Sequence, residues 1–340
     1  MKMRTDSSAK SKSASAARTD SAKRPVPKGG LKKWAAQETR SWKKSLVRNY
    51  DLYLLLIPVI AYFVIFSYGP MYGLQIAFKD YSPALGIAAS PWAGLKHLTR
   101  FFNSFYFERV IKNTLTLSVA ALLVKIPAPL ILALLFDEIR SRKLRVTAQT
   151  LSYAPYFIST VVLCSMIVMF LTPGTGFIDS ILRFFGYTDS TSLLSDPNAF
   201  APVYVVSAVW ETIGWDSIIY TAAIAGVPQE LYEVARLDGA SRLKQIWYVT
   251  LPCIVPTIAI LSIMAIGNVL NIGYEKVYLL QNTANLSASE VISTYVYKSG
   301  LQQSQYSFAS MVGLFNNAIN FIILIFANKL SKRLTETSLW

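Results

Sequence analysis

The chain has 340 residues, of which 53% are hydrophobic and 15% are charged, and its mean hydropathy is +0.38. This composition excludes an ordinary soluble domain. The net charge of +14 is concentrated at one end, because the first 50 residues hold 14 Lys and Arg against 3 Asp and Glu. A basic tail beside a nearly neutral apolar body indicates membrane topology and lipid contact rather than nucleic-acid binding.

The first 50 residues form two segments. Residues 1–30 are rich in Ser, Ala, Lys and Arg, so we predict a disordered, retained cytoplasmic tail without the apolar stretch of a secretory signal. Residues 31–50 place Trp34 and Trp42 among basic side chains. That pattern fits either an interfacial helix on an anionic leaflet or a flexible basic linker.

The rest of the chain is a series of apolar runs, and about 20 residues are enough to cross the ~30 Å hydrocarbon core. We predict an all-α membrane domain at 51–335 with six transmembrane helices, at about 51–76, 110–135, 146–171, 201–225, 251–272 and 306–330. Pro155 interrupts the third run, and Glu211 and Asp216 lie inside the fourth. The basic connections alternate with the longer, mixed-charge ones, which predicts a multi-pass protein of the cell membrane with both termini in the cytoplasm.

Several kinds of site are not expected. Cys164 and Cys253 lie in apolar runs and imply no disulfide framework. His97 is the single histidine and has no cluster of ligands around it, so neither a metal site nor a histidine-based triad is expected. The sequence also lacks the phosphate-binding loop of nucleotide hydrolases, so the chain is not expected to bind ATP itself.

Polar side chains within the predicted spans are costly and usually face a cavity or another helix. The candidates for substrate contact are Glu211, Trp215, Asp216, Tyr220, Asn268, Asn271, Asn316 and Asn320. Such amides, acids and rings suit a neutral polyhydroxylated ligand, and Lys125 is the main basic exception. The alternative is hydrogen bonding between helices. We favour that alternative for Asn316 and Asn320, and substrate contact for Glu211 and Trp215.

The polar stretch at 226–250 is long for a loop between two spans and has the features of two short helices. Pro228 and Glu233 suit the start of the first helix, and Gly239 supplies the left-handed residue that ends it. Ser241 is the predicted N-cap of the second helix, whose apolar face repeats until Pro252. A helical hairpin with an exposed apolar stripe suits insertion into a groove on a partner.

This stretch resembles the EAA loop of binding-protein-dependent ABC importer permeases, which have the MetI-like transmembrane fold. Val234 replaces the usual alanine at the second position of that motif. The resemblance implies a coupling helix that docks on a separate ABC ATPase dimer, where ATP and Mg are bound. The coupling residues that it implies are Glu233, Ala235, Asp238, Gly239, Ala240, Ser241, Leu243, Ile246 and Trp247.

Three further motifs are similar to the LplB-type branch of carbohydrate importer permeases, which is associated with complex polysaccharides. They are Trp210 to Trp215, Asn271 to Glu275, and Ser293 to Tyr297 followed by Gly300 to Gln303. The resemblance implies an oligosaccharide substrate, a second related permease subunit and an extracytoplasmic solute-binding lipoprotein. It implies no cofactor bound by this chain.

Other functions stay open at this point. A permease for a non-sugar solute, such as an amino acid, a peptide or an anion, would share the coupling loop. A membrane-embedded enzyme using Glu211 and Asp216 is a weaker alternative, because residues five apart lie about 140° apart around a helix. A passive channel would leave the docking loop unexplained.

Overall fold

The computed structural model describes residues 49–186 and 192–340. The described residues fall into two units, which divide between Tyr72 and Gly73. The predicted tail at 1–30 and nearly all of the predicted interfacial segment at 31–50 lie outside the described residues.

The described part of the first unit is one helix. Helix α1 spans Tyr50–Phe63 and continues through a π turn at Val64–Tyr68 and a final turn at Gly69–Met71. Its side chains are apolar on nearly every side and remain exposed. A helix that is hydrophobic all round is typical of a membrane span.

The second unit is also helical, and within the described residues its single β feature is an isolated bridge between Lys79 and Trp92. Its helices are α2 Lys96–Phe102, α3 Phe107–Lys125, α4 Pro127–Glu138, α5 Arg142–Tyr153, α6 Thr160–Phe170, α7 Phe177–Phe184, α8 Pro197–Ala225, α9 Gln229–Leu237, α10 Arg242–Gln245, α11 Leu251–Gly267, α12 Tyr274–Leu280, α13 Ile292–Tyr297 and α14 Tyr306–Thr335. Shorter helical turns connect several of them.

Among the residues that the structure describes, four helical stretches are long and apolar enough to cross a membrane. They are Tyr50–Phe78, Phe107–Glu138, Arg242–Gly267 and Tyr306–Thr335. Helices α5 and α6 together would make a fifth. Helix α8 has 29 residues, but Glu211 and Asp216 reduce its hydropathy. The all-α fold agrees with the sequence, whereas the count of six spans stays a prediction.

The third predicted span, 146–171, is not a straight helix. The helical stretch Arg142–Phe157, which ends in a 3₁₀ turn at Ala154–Phe157, meets Thr160–Phe170 at 98°. Pro155 lies in this turn, where its missing N–H is tolerated better than in a helix interior. Helix α8 crosses the bend so closely that a Cβ at Gly214 would lie 2.0 Å from the Ser152 carbonyl oxygen. The bend is therefore packed against α8.

Helix α8 carries core residues near both of its ends. Toward its N-terminus, Phe200 and Tyr204 belong to a buried cluster with Leu163 of α6 and Val277 of α12. Toward its C-terminus, a second cluster has as buried members Ala133, Tyr220, Ile224, Val227 and Ile254. With a rise of 1.5 Å per residue, α8 is about 43 Å long. It therefore links two well-separated cores.

Candidate coupling surface and membrane cavity

The first helix of the predicted hairpin forms as the sequence indicates. Helix α9 follows Pro228, and Gly239 adopts the predicted left-handed conformation at φ +76° just beyond its end. The Ala240 N–H donates to the Ala235 carbonyl at 2.9 Å. A carbonyl at the end of the helix thereby gains a partner as the chain reverses.

The second helix differs from the prediction. Ser241 has the extended backbone of an N-cap, but its side chain makes no capping hydrogen bond. The helix also does not end before Pro252, since α10 passes through a π turn at Ile246–Thr250 directly into α11. Pro252 has no N–H to donate, and the π turn before it already departs from regular helical hydrogen bonding. The second arm of the hairpin is therefore an extension of the α11 span.

The hairpin exposes an apolar face. Leu237 is 88% exposed, Leu243 is 70% exposed and Trp247 is 67% exposed. Glu233 and Asp238 are also exposed, whereas Ala235, Ala240 and Ile246 are partly covered. We call the set of predicted coupling residues from Glu233 to Trp247, together with the exposed Leu237, the coupling surface. Large apolar side chains grouped on an exposed surface mark a site of contact with another protein or with a membrane.

Two polar contacts fix the coupling surface to the helices behind it. The Tyr232 hydroxyl lies 2.9 Å from the Thr250 hydroxyl, joining α9 to the start of α11. Burial raises the pKa of the Tyr232 hydroxyl, so it stays protonated at physiological pH. Arg242 forms an ion pair with Glu138, the last residue of α4. Movement of the surface would therefore act on both α4 and α11.

A cavity of about 400 Å³ lies between α3, α8 and the end of α11. Four of the predicted substrate residues line it: Asp216, Tyr220, Asn268 and Asn271. Lys125 and Tyr204 line the same cavity. Its volume falls within the range of about 300–1,000 Å³ that is usual for ligand pockets.

The wall formed by Asn268 and Asn271 is a break in the helix after Gly267, before α12 begins at Tyr274. Non-helical backbone at membrane depth is tolerated where it lines a cavity or is buried in protein. Two buried side chains of α14 hold this break. Asn316 and Asn320 donate to Asn271 Oδ1 at 3.1 and 2.9 Å, and Asn320 Oδ1 accepts the Leu270 N–H at 3.1 Å. Both α14 asparagines thus hydrogen-bond to the non-helical segment that follows α11.

Glu211 and Trp215 contact other groups instead of lining this cavity. Lys276 Nζ donates to Glu211 Oε2 at 2.9 Å, and Lys276 is only 5% exposed. The Trp215 ring stacks on Tyr156 in the α5–α6 bend, with ring centres 4.4 Å apart. Sequence reasoning missed Lys276 because it lies beyond the predicted fifth span. The motif from Asn271 to Glu275 immediately before it was the available signal.

The cavity has both a cation and an anion available to a ligand. Lys125 and Asp216 are each partly buried, and within residues 49–186 and 192–340 neither has an ion-pair partner. The Asn268 and Asn271 amides add donors and acceptors, and Tyr220 adds an aromatic ring. This set can bind a polar ligand that carries hydroxyl groups and a negative charge.

Known proteins similar to this chain have transport functions. Residues 125–336 match the model of the family described as binding-protein-dependent transport system inner membrane component. Two relatives from Bacillus subtilis (strain 168) are each 42% identical to this chain. The polygalacturonan/rhamnogalacturonan transport system permease protein YteP aligns over 87% of this chain and 92% of its own length, and Protein LplB aligns over 88% and 94%.

Solved structures also resemble this chain. A bacterial ABC transporter involved in the import of the acidic polysaccharide alginate contains a chain that is 42% identical and superposes with a TM-score of 0.80. The match covers 87% of this chain and 99% of that one. A structure of the bacterial alginate ABC transporter in complex with an alginate pentasaccharide-bound periplasmic protein gives the same values.

Proposed function

Because this chain belongs to the family of binding-protein-dependent transport system inner membrane components, we propose that it is the permease subunit of an ATP-driven importer of oligosaccharides from complex polysaccharides. The observation that carries the substrate class is the 42% identity to a polygalacturonan/rhamnogalacturonan permease and to an alginate importer. That observation disfavours amino acids, peptides and simple anions as substrates. The chain is a transport component of the membrane, with several apolar helices.

The motor of this importer would be a separate ABC ATPase dimer that binds ATP and Mg. The coupling surface supports this assignment, since Leu237, Leu243 and Trp247 expose an apolar face that an ATPase groove would cover. Glu233 is exposed beside that face and is available for charge pairing. The surface would then lie in the cytoplasm, together with both chain termini.

The helix that follows the coupling surface offers a direct route to the cavity. From Arg242 to Gly267 the chain is helical for 26 residues, a length of about 39 Å. Its far end is the break that lines the cavity. Tyr220 belongs both to the cavity wall and to the buried cluster that Tyr232 of α9 packs against. ATP-driven movement of the surface would thereby shift the cavity between inward-facing and outward-facing states.

The cavity would recognise the sugar through hydrogen bonds and charge. Asp216, Asn268 and Asn271 would pair with hydroxyl groups, and Tyr220 would contact a sugar ring. The sequence alone favours a neutral ligand. Lys125 adds a group that can bind a carboxylate by a charge-assisted hydrogen bond. An oligosaccharide carrying acidic groups therefore fits this cavity better than an entirely neutral one.

The complete importer would contain more than this chain and the ATPase. A second related permease subunit would complete the transmembrane pathway, and membrane lipid would surround both. An extracytoplasmic solute-binding lipoprotein would deliver the oligosaccharide, as the periplasmic protein in the alginate transporter complex supports. No nucleic-acid partner is proposed.

The test is uptake by the complete complex in proteoliposomes, with acidic oligosaccharides prepared from alginate and polygalacturonan. We expect saturable uptake that requires ATP. Lys125→Met should raise the KM for acidic oligosaccharides about 10-fold or more, the worth of one charge-assisted hydrogen bond, and Lys125→Arg should restore most of the affinity. Uptake of peptides or amino acids, with no oligosaccharide uptake, would contradict the proposal.

A further inference from the structure

Two of the sequence motifs include residues that lie outside both the cavity and the coupling surface, and the fold brings these residues together. The Tyr274 ring of the Asn271 to Glu275 motif stacks on Tyr297 of the Ser293 to Tyr297 motif, with ring centres 5.1 Å apart and an interplanar angle of 21°. Tyr278 meets the same Tyr297 ring edge-on at 5.2 Å. Gln302 Nε2 donates to the Tyr278 hydroxyl at 3.0 Å. We call Tyr274, Tyr278, Tyr297 and Gln302 the aromatic cluster.

The backbone that presents the aromatic cluster is irregular and tightly held. Gln302 ends a π turn at Lys298–Gln302, a helix type that is rare and often occurs at functional sites. Inside this turn, a Cβ at Gly300 would come within 2.8 Å of the Ala309 side chain, so the turn packs directly on α14. Ser304 then adopts a positive φ of 58°, an uncommon conformation for a residue with a side chain.

Polar contacts of Lys298 join the same π turn to two neighbouring segments. Lys298 Nζ donates to Gln281 Oε1 at 2.6 Å and lies 3.4 Å from Glu290 Oε1. These bonds join the π turn to the end of α12 and to the loop before α13. The rings are therefore held on a rigid base, as a binding platform requires.

The aromatic cluster adjoins the cavity. Gly273 lines the cavity, and Tyr274 is the next residue along the chain. Tyr274 remains 45% exposed although Tyr297 stacks on it, so part of its ring is free for a further contact. A cavity of about 400 Å³ is near the lower end of the usual range for ligand pockets, about 300–1,000 Å³. A long oligosaccharide would need a second contact surface beyond it.

We propose that the aromatic cluster is a second carbohydrate subsite, in which Tyr274 stacks on a sugar ring that extends out of the cavity. The inference rests on the proposed function as an oligosaccharide importer, and it adds that the importer prefers longer oligosaccharides. Tyrosine rings offer the apolar face of a sugar a flat partner, and the Gln302 side chain offers an amide to its hydroxyl groups. The subsite would give longer oligosaccharides a higher affinity than disaccharides.

The experiment compares disaccharides with pentasaccharides prepared from alginate and polygalacturonan in uptake by the complete complex. Tyr274→Ala should raise the KM for the pentasaccharide about 10-fold and leave the disaccharide KM and the maximal rate unchanged. Tyr274→Phe keeps the ring and should behave like the unmodified complex. Phe326→Ala, at an exposed aromatic residue of α14, is the matched control and should alter neither KM.

Three outcomes would overturn the subsite, and they have different meanings. If Tyr274→Ala changes neither KM while the unmodified complex transports both sugars, the subsite is absent and the importer stands. If it raises both KM values equally and weakens docking of the solute-binding protein in a titration, Tyr274 is a protein contact instead. If the unmodified complex transports neither sugar, the proposed function itself fails.

Discussion

The two ends of the helical stretch from Arg242 to Gly267 are built differently. At one end, the coupling surface leaves Leu243 and Trp247 exposed. At the other end, the break at 268–273 is held by buried asparagines of α14 and lines a cavity. A surface that binds a large partner has to remain open. A cavity wall without regular hydrogen bonds needs partners from elsewhere in the chain, because unpaired polar groups are costly in a membrane.

The largest effect on stability is expected from replacing Glu211. This substitution tests whether Glu211 stabilises the fold or contacts the substrate. Glu211→Ala leaves the buried ammonium of Lys276 without its partner, so we expect a loss of about 3–5 kcal/mol in the free energy of unfolding, measured by denaturant titration in detergent. The double variant Glu211→Ala with Lys276→Met should recover most of the loss. If the single variant is as stable as the unmodified protein, the ion pair has no structural role.

A smaller loss is expected at the asparagines that hold the break. Asn320→Leu removes the acceptor of the buried Leu270 N–H and one of the two donors to Asn271 Oδ1, so the free energy of unfolding should fall by about 1–3 kcal/mol. Asn268→Leu serves as the comparison, because the Asn268 side chain is exposed, its Nδ2 donates to the Met264 carbonyl of α11, and its Oδ1 accepts a long hydrogen bond of 3.4 Å from Asn271 Nδ2. Asn268→Leu should keep stability and raise the KM for oligosaccharide. Equal stability losses in both variants would contradict the assignment of a structural role to Asn320 and a substrate role to Asn268.

Substitutions at the coupling surface should reduce transport more than they reduce the free energy of unfolding. Gly239→Val places a β-branched residue at φ +76°, where even an unbranched L-residue costs about 1–2 kcal/mol, so the turn should shift and coupled transport should fall about 10-fold. Gly239→Asn tolerates this conformation better and should retain most activity. The measurement is sugar uptake per ATP hydrolysed. An unchanged ratio in Gly239→Val would show that the turn does not transmit movement.

The smallest effect is expected for the ion pair between Arg242 and Glu138. Both side chains are more than a third exposed, so Arg242→Ala should change stability by less than about 1 kcal/mol. Uptake per ATP should nevertheless fall modestly if this contact passes movement to α4. Exchanging the two charges, in Arg242→Glu with Glu138→Arg, should restore it. Failure of the exchange to restore a measurable loss would exclude an electrostatic role.

The coupling end could be predicted largely from the sequence because its signals are local. Pro228 and Gly239 lie within a few residues of the helix ends that they define, and both act through their own backbone. The exceptions are Ser241, whose side chain makes no capping hydrogen bond, and Pro252, which does not separate two helices. The π turn at Ile246–Thr250 depends on how the whole stretch packs, and periodicity does not reveal it.

The cavity could be predicted only in part because its members are distant in the chain. Helical spacing identified Asp216 with Tyr220 and Asn268 with Asn271, and all four line the cavity. Spacing along one helix cannot show that Lys276 is 2.9 Å from Glu211, since the two lie 65 positions apart. Nor could it show that Trp215 stacks on Tyr156 at the bend.

The most direct test of the account is crosslinking from Leu243→Cys in a Cys253→Ser background, which removes the exposed native cysteine. Leu243 is one of the exposed side chains of the apolar face. The account predicts that a thiol-reactive crosslinker joins this residue to the ATPase subunit, and that the yield changes when ATP is added. A residue that reacts instead with a membrane-impermeant reagent added outside intact cells would contradict the account.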